Sequence, residues 1–335
     1  MPFLFYLRCL AGRGIYREEE VCVMPFESTH WAWMNGQIVP WRDSKVHVST
    51  HALHYGTGVF EGMRSYMTAQ GPAVFRLDAH IKRFFASAAV YGLEIPYTQA
   101  QLEDAVCEVI RRNEFQECYI RPLCYYGSES LGLRGHNPTE TAILAWSGIK
   151  HVPKGSVEKG GRMTLSPYVK FDARMMPPTA KASGQYINSF LATRDAVSRG
   201  FDEAVLLNVE GNVAEAAVAN VFVVKDGVVR TNDEKSSILL GITRDSVIQL
   251  ARALGYKMEI GILTLNDLKN ADELFVTGTA AEIVPFAELD GVKIGGGKPG
   301  PIVAKLIEAF NRAKTGQDPA WKHWLHHVTP AAVAV

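Results

Sequence analysis

Lys181 is the side chain in this sequence whose surroundings most favour covalent chemistry. It lies in the run MMPPTAKASGQYINSF (175–190), where the phenol of Tyr186 is the other ionisable group. Charged residues make up 21% of the chain, so a single lysine in so long an uncharged run is a candidate for burial. Burial favours the neutral amine, which can attack a carbonyl carbon and form a Schiff base. An exposed loop rich in proline and glycine would explain the same run without chemistry.

Glu215 is a second candidate because it has no cation nearby in the sequence. Between Arg199 and Lys225 every charged side chain is a carboxylate. If Glu215 is buried, it needs a positive charge from elsewhere, and a protonated pyridine nitrogen could provide one. If Glu215 is exposed, it needs no partner, so the pattern leaves both interpretations open.

A carboxylate ligand is suggested by the segment CYIRPLCYY (118–126), which alternates as a strand. The alternation places Tyr119, Arg121 and Tyr125 on one face. A guanidinium can donate two parallel hydrogen bonds to a carboxylate, and the phenols can donate one each. The alternative is an edge strand with a solvated Arg121, which Pro122 favours because proline lacks a backbone donor.

Two glycine-containing turns could bind an anion. Ile242 and Thr243 follow Gly241 at the start of a predicted helix, where free amides and the helix dipole favour negative charge. The segment TGTAAE (277–282) forms a similar turn after a predicted strand. Many helices begin this way without a ligand, so these turns alone do not establish a phosphate site.

The histidines at positions 47, 51 and 54 have a spacing that could suggest a metal site. No Cys, Asp or Glu is interleaved with them, and the preceding VHV alternates like a strand. We therefore predict no metal centre.

The strands that would carry these groups can be predicted from alternation and turn residues. Asn35-Gly36 indicates a hairpin turn between Trp31 and Trp41. Residues 58–67 form a predicted strand with Phe60, Gly62 and Arg64 on one face. A glycine inside a strand marks either a bulge or a place where a ligand or backbone approaches closely.

Helical periodicity predicts the elements that pack on these strands. A helix capped by Asp78 has an apolar stripe that excludes Arg83, which would then be a solvated charge. Thr98 and Gln101 form a capping box for the next helix. Predicted strands and predicted helices therefore occur in both halves of the chain.

Length and composition limit the class of protein. A chain of 335 residues is expected to form two domains. We place an extension at 1–28, a smaller α/β domain at 29–147, a linker at 148–160 and a larger domain at 161–328. Equal numbers of basic and acidic residues give no charge that favours nucleic acid or a membrane surface, so we expect a small-molecule ligand.

The cysteines and the apolar segments point to the cytoplasm. Five cysteines without a CxxC pair argue against a disulfide framework or a zinc ribbon. No uninterrupted apolar run approaches the roughly 20 residues that a membrane helix needs. The first residues lack the basic segment that precedes the apolar core of a secretory signal.

Six sequence blocks, taken in order, resemble the branched-chain amino acid aminotransferases of the fold-type IV class of pyridoxal phosphate enzymes. The blocks are HALHYGTGVFEG (51–62), HIKRF (80–84), YIRPL (119–123), AKASGQY (180–186), GITRD (241–245) and TGTAAEIVP (277–285). The resemblance extends from about residue 31 to residue 325. It implies a smaller N-terminal α/β domain and a larger C-terminal domain with a barrel-like β core.

The resemblance also implies a set of cofactor-binding residues for pyridoxal 5'-phosphate. Lys181 resembles the lysine that forms the Schiff base with the cofactor and moves the proton at the substrate α-carbon. Glu215 resembles the carboxylate that keeps the pyridine nitrogen protonated. Tyr186 would bond the phenolic oxygen, and Leu239 would pack on the ring. The phosphate would be bound by Arg83, Ile242, Thr243 and Thr279.

The substrate residues implied by the resemblance lie in both predicted domains. Tyr119 would hold the α-carboxylate, and Arg121 would bind the second carboxylate of 2-oxoglutarate. The turn that provides amides to the α-carboxylate contains Thr279, Ala280 and Ala281. The side-chain pocket would be lined by Phe60, Gly62 and Arg64. Tyr55 and Leu133 would reach into the site of a neighbouring subunit in a homodimer or a larger assembly of dimers.

The resemblance implies an aminotransferase that moves the amino group of L-leucine, L-isoleucine or L-valine to 2-oxoglutarate. Two alternatives on the same fold are a D-amino-acid or amine transaminase and a pyridoxal phosphate lyase. A non-catalytic small-molecule binding protein is a third, and it would leave Lys181, Tyr186 and Glu215 without a purpose.

Overall fold

The computed structural model describes residues 26–135, 137–148 and 156–328. Most of the predicted extension and most of the predicted linker lie outside these ranges. Within them, two large β-sheets carry helices on their faces, as the mixed α/β prediction requires.

The first sheet is built mainly from the N-terminal half of the chain, in the spatial order β17-β5-β4-β6-β7-β1-β2, with β3 paired to β6. Its pairs are antiparallel. Its strands are β1 (Trp31–Met34), β2 (Gln37–Pro40), β3 (Gly58–Phe60), β4 (Met63–Thr68), β5 (Gly71–Phe75), β6 (Cys118–Tyr126), β7 (Thr139–Trp146) and β17 (Leu325–His327).

The second sheet contains nine strands in the order β10-β9-β8-β15-β14-β11-β12-β13, with β16 paired to β15. Its first strand also lies against β11 and β12, so the sheet curls into a half-barrel. Its strands are β8 (Gly161–Leu165), β9 (Glu203–Leu207), β10 (Val213–Ala216), β11 (Asn220–Lys225), β12 (Val228–Asn232), β13 (Met258–Gly261), β14 (Glu273–Gly278), β15 (Glu282–Leu289) and β16 (Val292–Lys293).

Eight α-helices cover these sheets in the described part of the chain. They are α1 (His51–Tyr55), α2 (Leu77–Val90), α3 (Gln99–Arg112), α4 (Ser156–Lys159), α5 (Tyr186–Ser198), α6 (Ile242–Ala253), α7 (Leu265–Lys269) and α8 (Pro301–Lys314). Short 3₁₀ turns occupy Phe26–Ser28, Trp41–Asp43, Ser183–Gln185, Glu234–Ser236 and Pro319–Trp324.

Four apolar clusters stabilise the described part of the chain, and the smallest of them packs α5 against β9. Of the other three, one lies between the first sheet and helices α2 and α3, and another lies inside the half-barrel. A third joins the two sheets through α6 and α8, and it includes Phe75 of β5, Phe222 of β11 and Trp324 near the C-terminal strand. The sheets are therefore connected by shared packing as well as by the chain. The domain boundaries themselves stay a prediction.

Several local predictions are confirmed. The hairpin of β1 and β2 turns at Asn35-Gly36, where both residues have positive φ. The Thr98 and Gln101 side chains form the reciprocal capping box at the start of α3. The prediction that Asp78 caps α2 is wrong. The helix begins at Leu77, so Asp78 lies in its first turn, and the N-cap is Arg76 in a left-handed conformation.

The predicted strand at 58–67 is interrupted in the structure. It divides into β3 and β4, with Glu61 and Gly62 between them. The Glu61 amide donates to the Pro122 carbonyl at 2.9 Å, so the face of Pro122 that lacks an N–H points toward the interruption. The edge-strand interpretation of β6 is wrong, because β6 lies between β4 and β7 in the sheet.

Candidate active site

A cavity of about 320 Å³ lies between the two sheets and gathers most of the candidate residues. From the first sheet, Phe60, Tyr119 and Arg121 contribute to its wall. From the segment after β8 and from the second sheet, Lys181 and Glu215 contribute. This volume is within the range that cofactor and small-molecule sites occupy.

Lys181 enters the cavity from a backbone that is bonded on both sides. Its amide donates to the Ser87 hydroxyl of α2 at 3.0 Å. Its carbonyl accepts from the Phe60 amide of β3 at 3.0 Å. The amine donates to the Tyr186 hydroxyl at 2.8 Å and lies 5.3 Å from the centre of the Phe60 ring. The lysine is thus fixed at its base, and its amine is oriented by a phenol.

Arg83 lies in the wall of the same cavity and is held by Glu61. The guanidinium donates to both oxygens of this carboxylate, with Nε–Oε1 at 2.6 Å and Nη2–Oε2 at 2.9 Å. Nη1 donates to the Leu240 carbonyl at 2.9 Å. Glu61 is fully buried and also bonds His80 Nδ1 at 2.7 Å. The Arg83 guanidinium is therefore oriented by three hydrogen bonds, and the prediction that it is a solvated surface charge is wrong.

The electrostatics of this cluster favour the ion pair. Burial by itself would raise the pKa of Glu61, but Arg83 and His80 hold it well below its ordinary value. Burial would lower the pKa of Arg83, but Glu61 raises it above the ordinary arginine value. Burial lowers the pKa of His80, so the neutral imidazole donates its Nδ1 proton to the carboxylate.

The start of α6 opens into the cavity. Gly241 is the N-cap, and Ile242 and Thr243 begin the helix. A β-carbon at Gly241 would lie 2.0 Å from Oδ1 of Asn220, so only glycine allows this approach. Because the N-cap has no side chain, the amides of the first turn are available to an anion.

Glu215 lies at β10 with 5% of its surface exposed. One oxygen, Oε1, is 2.8 Å from Nζ of Lys170. The other, Oε2, accepts from Asn220 Nδ2 at 3.0 Å and from the Leu239 amide at 3.2 Å. The carboxylate is thus buried, as one interpretation of the sequence requires, but a lysine 45 residues upstream provides the cation.

These residues fit the pyridoxal phosphate that the sequence resemblance implies. A guanidinium and a helix N-terminus suit the phosphate, an amine suits the carbonyl, and a buried carboxylate suits the ring nitrogen. The Leu239 and Thr279 side chains line the cavity with them. Ala217 and Val218 also line it.

Tyr119 and Arg121 project from neighbouring positions of one strand face. Arg121 Nη2 donates to the Tyr119 hydroxyl at 3.3 Å. The guanidinium lies 4.7 Å from the Phe60 ring centre and 5.8 Å from that of Trp146. Its Nε is buried and has no hydrogen-bond partner among the described residues. An aromatic enclosure with an unsatisfied guanidinium donor can accept an acidic group.

The turn between β14 and β15 provides the opposite wall through Thr279, Ala280 and Ala281. It ends at Glu282, which has a left-handed φ of 62°. The Glu282 carboxylate is bonded by Arg64 at 3.0 Å, by Tyr66 at 2.9 Å and by Lys314 of α8 at 2.5 Å. Residues from β4 and α8 therefore fix the end of this turn.

Three predicted residues lie outside this cavity in the described part of the chain. Arg64 is directed to Glu282 and to the Ala280 carbonyl. Tyr55 is 44% exposed and Leu133 is 80% exposed. The structure brings the other predicted residues together around one cavity, and their roles remain proposals.

Sequence reasoning missed Lys170, Glu61 and Asn220. Glu61 follows the predicted pocket residue Phe60, and a signal was that it is the one charged residue in the segment YGTGVFEGM (55–63). Lys170 is a lone base in SPYVKF, just before the Lys181 run. Asn220 had no distinguishing signal in the sequence, because its contacts with Gly241 and Glu215 are formed only in the folded chain.

Known proteins match this chain over most of its length. The model of the family "Amino-transferase class IV" matches residues 58–289. The branched-chain-amino-acid aminotransferase of Pseudomonas aeruginosa is 42% identical over 293 residues, which is 87% of this chain and 95% of that protein. The Escherichia coli K12 enzyme of the same name is 38% identical over 308 residues, covering 91% and 99% of the two chains.

Solved structures are similar in the same way. A branched-chain amino acid aminotransferase from T.th., complexed with N-(5'-phosphopyridoxyl)-L-glutamate, superposes with a TM-score of 0.86 at 46% identity. The match covers 90% of this chain and 99% of that one. The Escherichia coli enzyme superposes with a TM-score of 0.88 at 38% identity, covering 90% and 100%.

Proposed function

The chain belongs to the amino-transferase class IV family, and on that premise we propose that it transfers the amino group of L-leucine, L-isoleucine or L-valine to 2-oxoglutarate. The products are the branched-chain 2-oxo acid and L-glutamate. One observation carries the substrate assignment: the Arg121 guanidinium lies 4.7 Å from the Phe60 ring centre. A pocket with an apolar ring beside a cation suits an aliphatic side chain in one half-reaction and a carboxylate in the other.

Pyridoxal phosphate supplies, when bound, the carbonyl that takes up the amino group and a ring that withdraws electrons from the substrate α-carbon. Arg83, the first amides of α6 at Ile242 and Thr243, and Thr279 would bind its phosphate. Glu215 would pair with the ring nitrogen, Tyr186 would bond the phenolic oxygen, and Leu239 would pack on the ring.

Lys181 removes the proton from the substrate α-carbon and returns a proton at the end of the transfer. Its hydrogen bond to Tyr186 keeps the amine directed into the cavity. Tyr119 and the amides of Ala280 and Ala281 orient the α-carboxylate. Phe60 and Gly62 bound the side-chain pocket, while Arg64 acts through the turn that Glu282 ends.

A homodimer completes the assembly we propose. Helix α1 and the loop after β6 are adjacent, since His51 Nε2 lies 3.3 Å from the Gly132 carbonyl. Both carry exposed apolar side chains, with Leu53 at 62%, Tyr55 at 44% and Leu133 at 80%. Exposed apolar groups on adjacent segments are typical of an interface, and Tyr55 and Leu133 would then reach the partner's cavity. Light scattering tests the dimer: a mass near 36.9 kDa, that of one chain, would exclude it.

We also place the protein in the cytoplasm. Within the described residues, no helix has the length and apolar character needed to cross a bilayer. Cys107, Cys118 and Cys124 are free thiols, which suits a reducing compartment.

The visible absorbance of the protein with its cofactor tests the reaction. L-leucine should remove the band of the resting protein, and 2-oxoglutarate should restore it. Lys181→Ala should abolish both changes, whereas Lys82→Ala, at an exposed lysine on α2, should preserve them. A band that ignores leucine but responds to a D-amino acid or an amine would overturn the substrate assignment.

A further inference from the structure

Lys170 is a buried lysine that the proposed reaction does not use. It lies between β8 and the Lys181 segment, with 7% of its surface exposed, and it lines the cavity. Its amide donates to the Leu207 carbonyl at 2.8 Å, which ties its backbone to the half-barrel. Its amine lies 4.6 Å from the Phe171 ring centre.

The Lys170 amine forms one ion pair in the described part of the chain, with Glu215 at 2.8 Å. Both side chains are nearly inaccessible, at 8% and 7% exposure. The second oxygen of Glu215 is occupied by Asn220 and the Leu239 amide. The carboxylate is therefore held at a fixed place and balanced by a charge before any ligand enters.

A buried ion pair behaves asymmetrically when it is broken. Removing one partner leaves the other as an uncompensated charge in a poorly polarisable interior, and this is strongly destabilising. A ring cation opposite Glu215 would be a second positive charge on the same carboxylate. Lys170 and the ring nitrogen then share one anion, and the attraction of each for Glu215 depends on the presence of the other.

We propose that Lys170 is a positioning residue that holds Glu215 in place in the cofactor-free protein, and that competes with the pyridine nitrogen for this carboxylate once the cofactor is bound. The proposal rests on the proposed function only for the identity of this second cation. It predicts that the cofactor can replace Lys170 as the partner of Glu215.

Thermal unfolding of the full chain, with and without cofactor, tests this coupling. Lys170→Met removes the charge at similar length and should lower the midpoint of the cofactor-free protein by roughly 5–10 °C. Saturating pyridoxal phosphate should restore most of the lost midpoint temperature. The rise in midpoint on cofactor binding should therefore be larger in Lys170→Met than in the wild type. Lys170→Arg keeps the charge and should behave like the wild type.

The effect of charge is separated from that of packing by a Glu215→Gln background. In that background the carboxylate is gone, so Lys170→Met should no longer enlarge the rise on cofactor binding. Two results would overturn the proposal. One is that Lys170→Met lowers the unfolding midpoint equally with and without cofactor. The other is that Lys170→Met still enlarges the cofactor-induced rise in the midpoint in the Glu215→Gln background.

The same measurement with 4-deoxypyridoxine 5'-phosphate makes the test independent of catalysis. This compound has the ring nitrogen and the phosphate but no carbonyl, so Lys181 chemistry cannot contribute. An enlarged rise with this ligand supports the proposal even if no amino transfer occurs. Failure of the leucine and 2-oxoglutarate cycle with an intact Lys170 effect would overturn the proposed function alone.

Discussion

The phenol of Tyr119 occupies the space that any side chain at Gly62 would need. A β-carbon at Gly62 would lie 1.9 Å from the Tyr119 hydroxyl oxygen and 2.7 Å from its ring carbon Cζ. Gly62 lies in the interruption between β3 and β4, and Tyr119 is 6% exposed on β6. The Tyr119 hydroxyl can therefore occupy its place only because residue 62 is a glycine.

Gly62→Ala should displace this hydroxyl and impair substrate binding. Because a displacement of about 1 Å can cost roughly 100-fold in rate, kcat/KM for leucine should fall by about 10- to 100-fold. Cofactor affinity should change less, since the Arg83 guanidinium is held by Glu61 and by the Leu240 carbonyl. Steady-state kinetics and cofactor titration check both points, with Gly296→Ala as a control because a β-carbon there meets open space. Unchanged kinetics would show that Tyr119 does not position the substrate.

Arg121→Met should separate the two half-reactions. Loss of a charge-assisted hydrogen bond costs about 1.5–3 kcal/mol, so the rate constant for 2-oxoglutarate should fall by roughly 10- to 150-fold. The leucine half-reaction should change only a few-fold, because Phe60 remains. Stopped-flow absorbance measures each half-reaction, and Arg42→Met, at a side chain that is 86% exposed, is the matched control. Equal losses for both substrates would contradict a role specific to the acidic substrate.

Glu61→Gln should weaken cofactor binding through Arg83. The guanidinium would lose its paired acceptor, and breaking a buried ion pair costs about 3–5 kcal/mol of stability. The Kd for pyridoxal phosphate should rise by about 10-fold or more. Glu108→Gln, which breaks a partly exposed pair with Arg111 on α3, should leave the Kd unchanged. An unaltered Kd in the Glu61 variant would exclude orientation of Arg83 by this carboxylate.

The lowered pKa of Glu61 predicts how the stability of the wild type depends on pH, and Glu61→Gln tests this prediction. The charged form is favoured in the folded state, so its contribution is complete above the ordinary value of 4.5 and is lost as the pH falls below that value. The free energy of unfolding of the wild type should fall on acidification, and that of Glu61→Gln should fall less. Urea titrations from about pH 7 to about pH 3 measure this difference.

Glu203 should give a pH dependence of opposite sign. Burial raises the pKa of this cavity-lining carboxyl from 4.5 to about 7. The folded state then holds a proton that the unfolded state has released, so stability falls as the pH rises from about 4.5 to about 7. Glu203→Gln should lack this loss and be more stable than the wild type at about pH 8 by about 3 kcal/mol. Urea unfolding at about pH 5 and about pH 8 checks it, and Glu234→Gln on the surface should leave the slope unaltered.

Local signals in the sequence were sufficient for much of the framework. The Asn35-Gly36 turn, the capping box at Thr98 and the helix after Gly241 each depend on residues a few positions apart. Such patterns reflect backbone conformations and short-range hydrogen bonds, which can be predicted from a few consecutive residues.

Contacts between distant segments could not be predicted in this way. The cation beside Glu215 comes from Lys170, outside the stretch in which a local partner was sought. Pro122 suggested an edge strand, but the fold places its missing donor against the interruption at Glu61. The apolar stripe of α2 excluded Arg83, yet the buried Glu61 opposite gives that arginine its partner. In each case a residue far along the chain decides the outcome.

The pairing of β17 with β5 has a consequence for how this protein acquires its structure during synthesis. Leu325–His327 form an edge strand of the N-terminal sheet, beside Ala73, Val74 and Phe75. The Trp324 carbonyl accepts from the Arg76 amide at the start of α2. A ribosome delivers the N-terminal segments first, so β5 has an unpaired edge until residues 325–327 have emerged. We expect the N-terminal half to remain a client of chaperones until β17 has been synthesised.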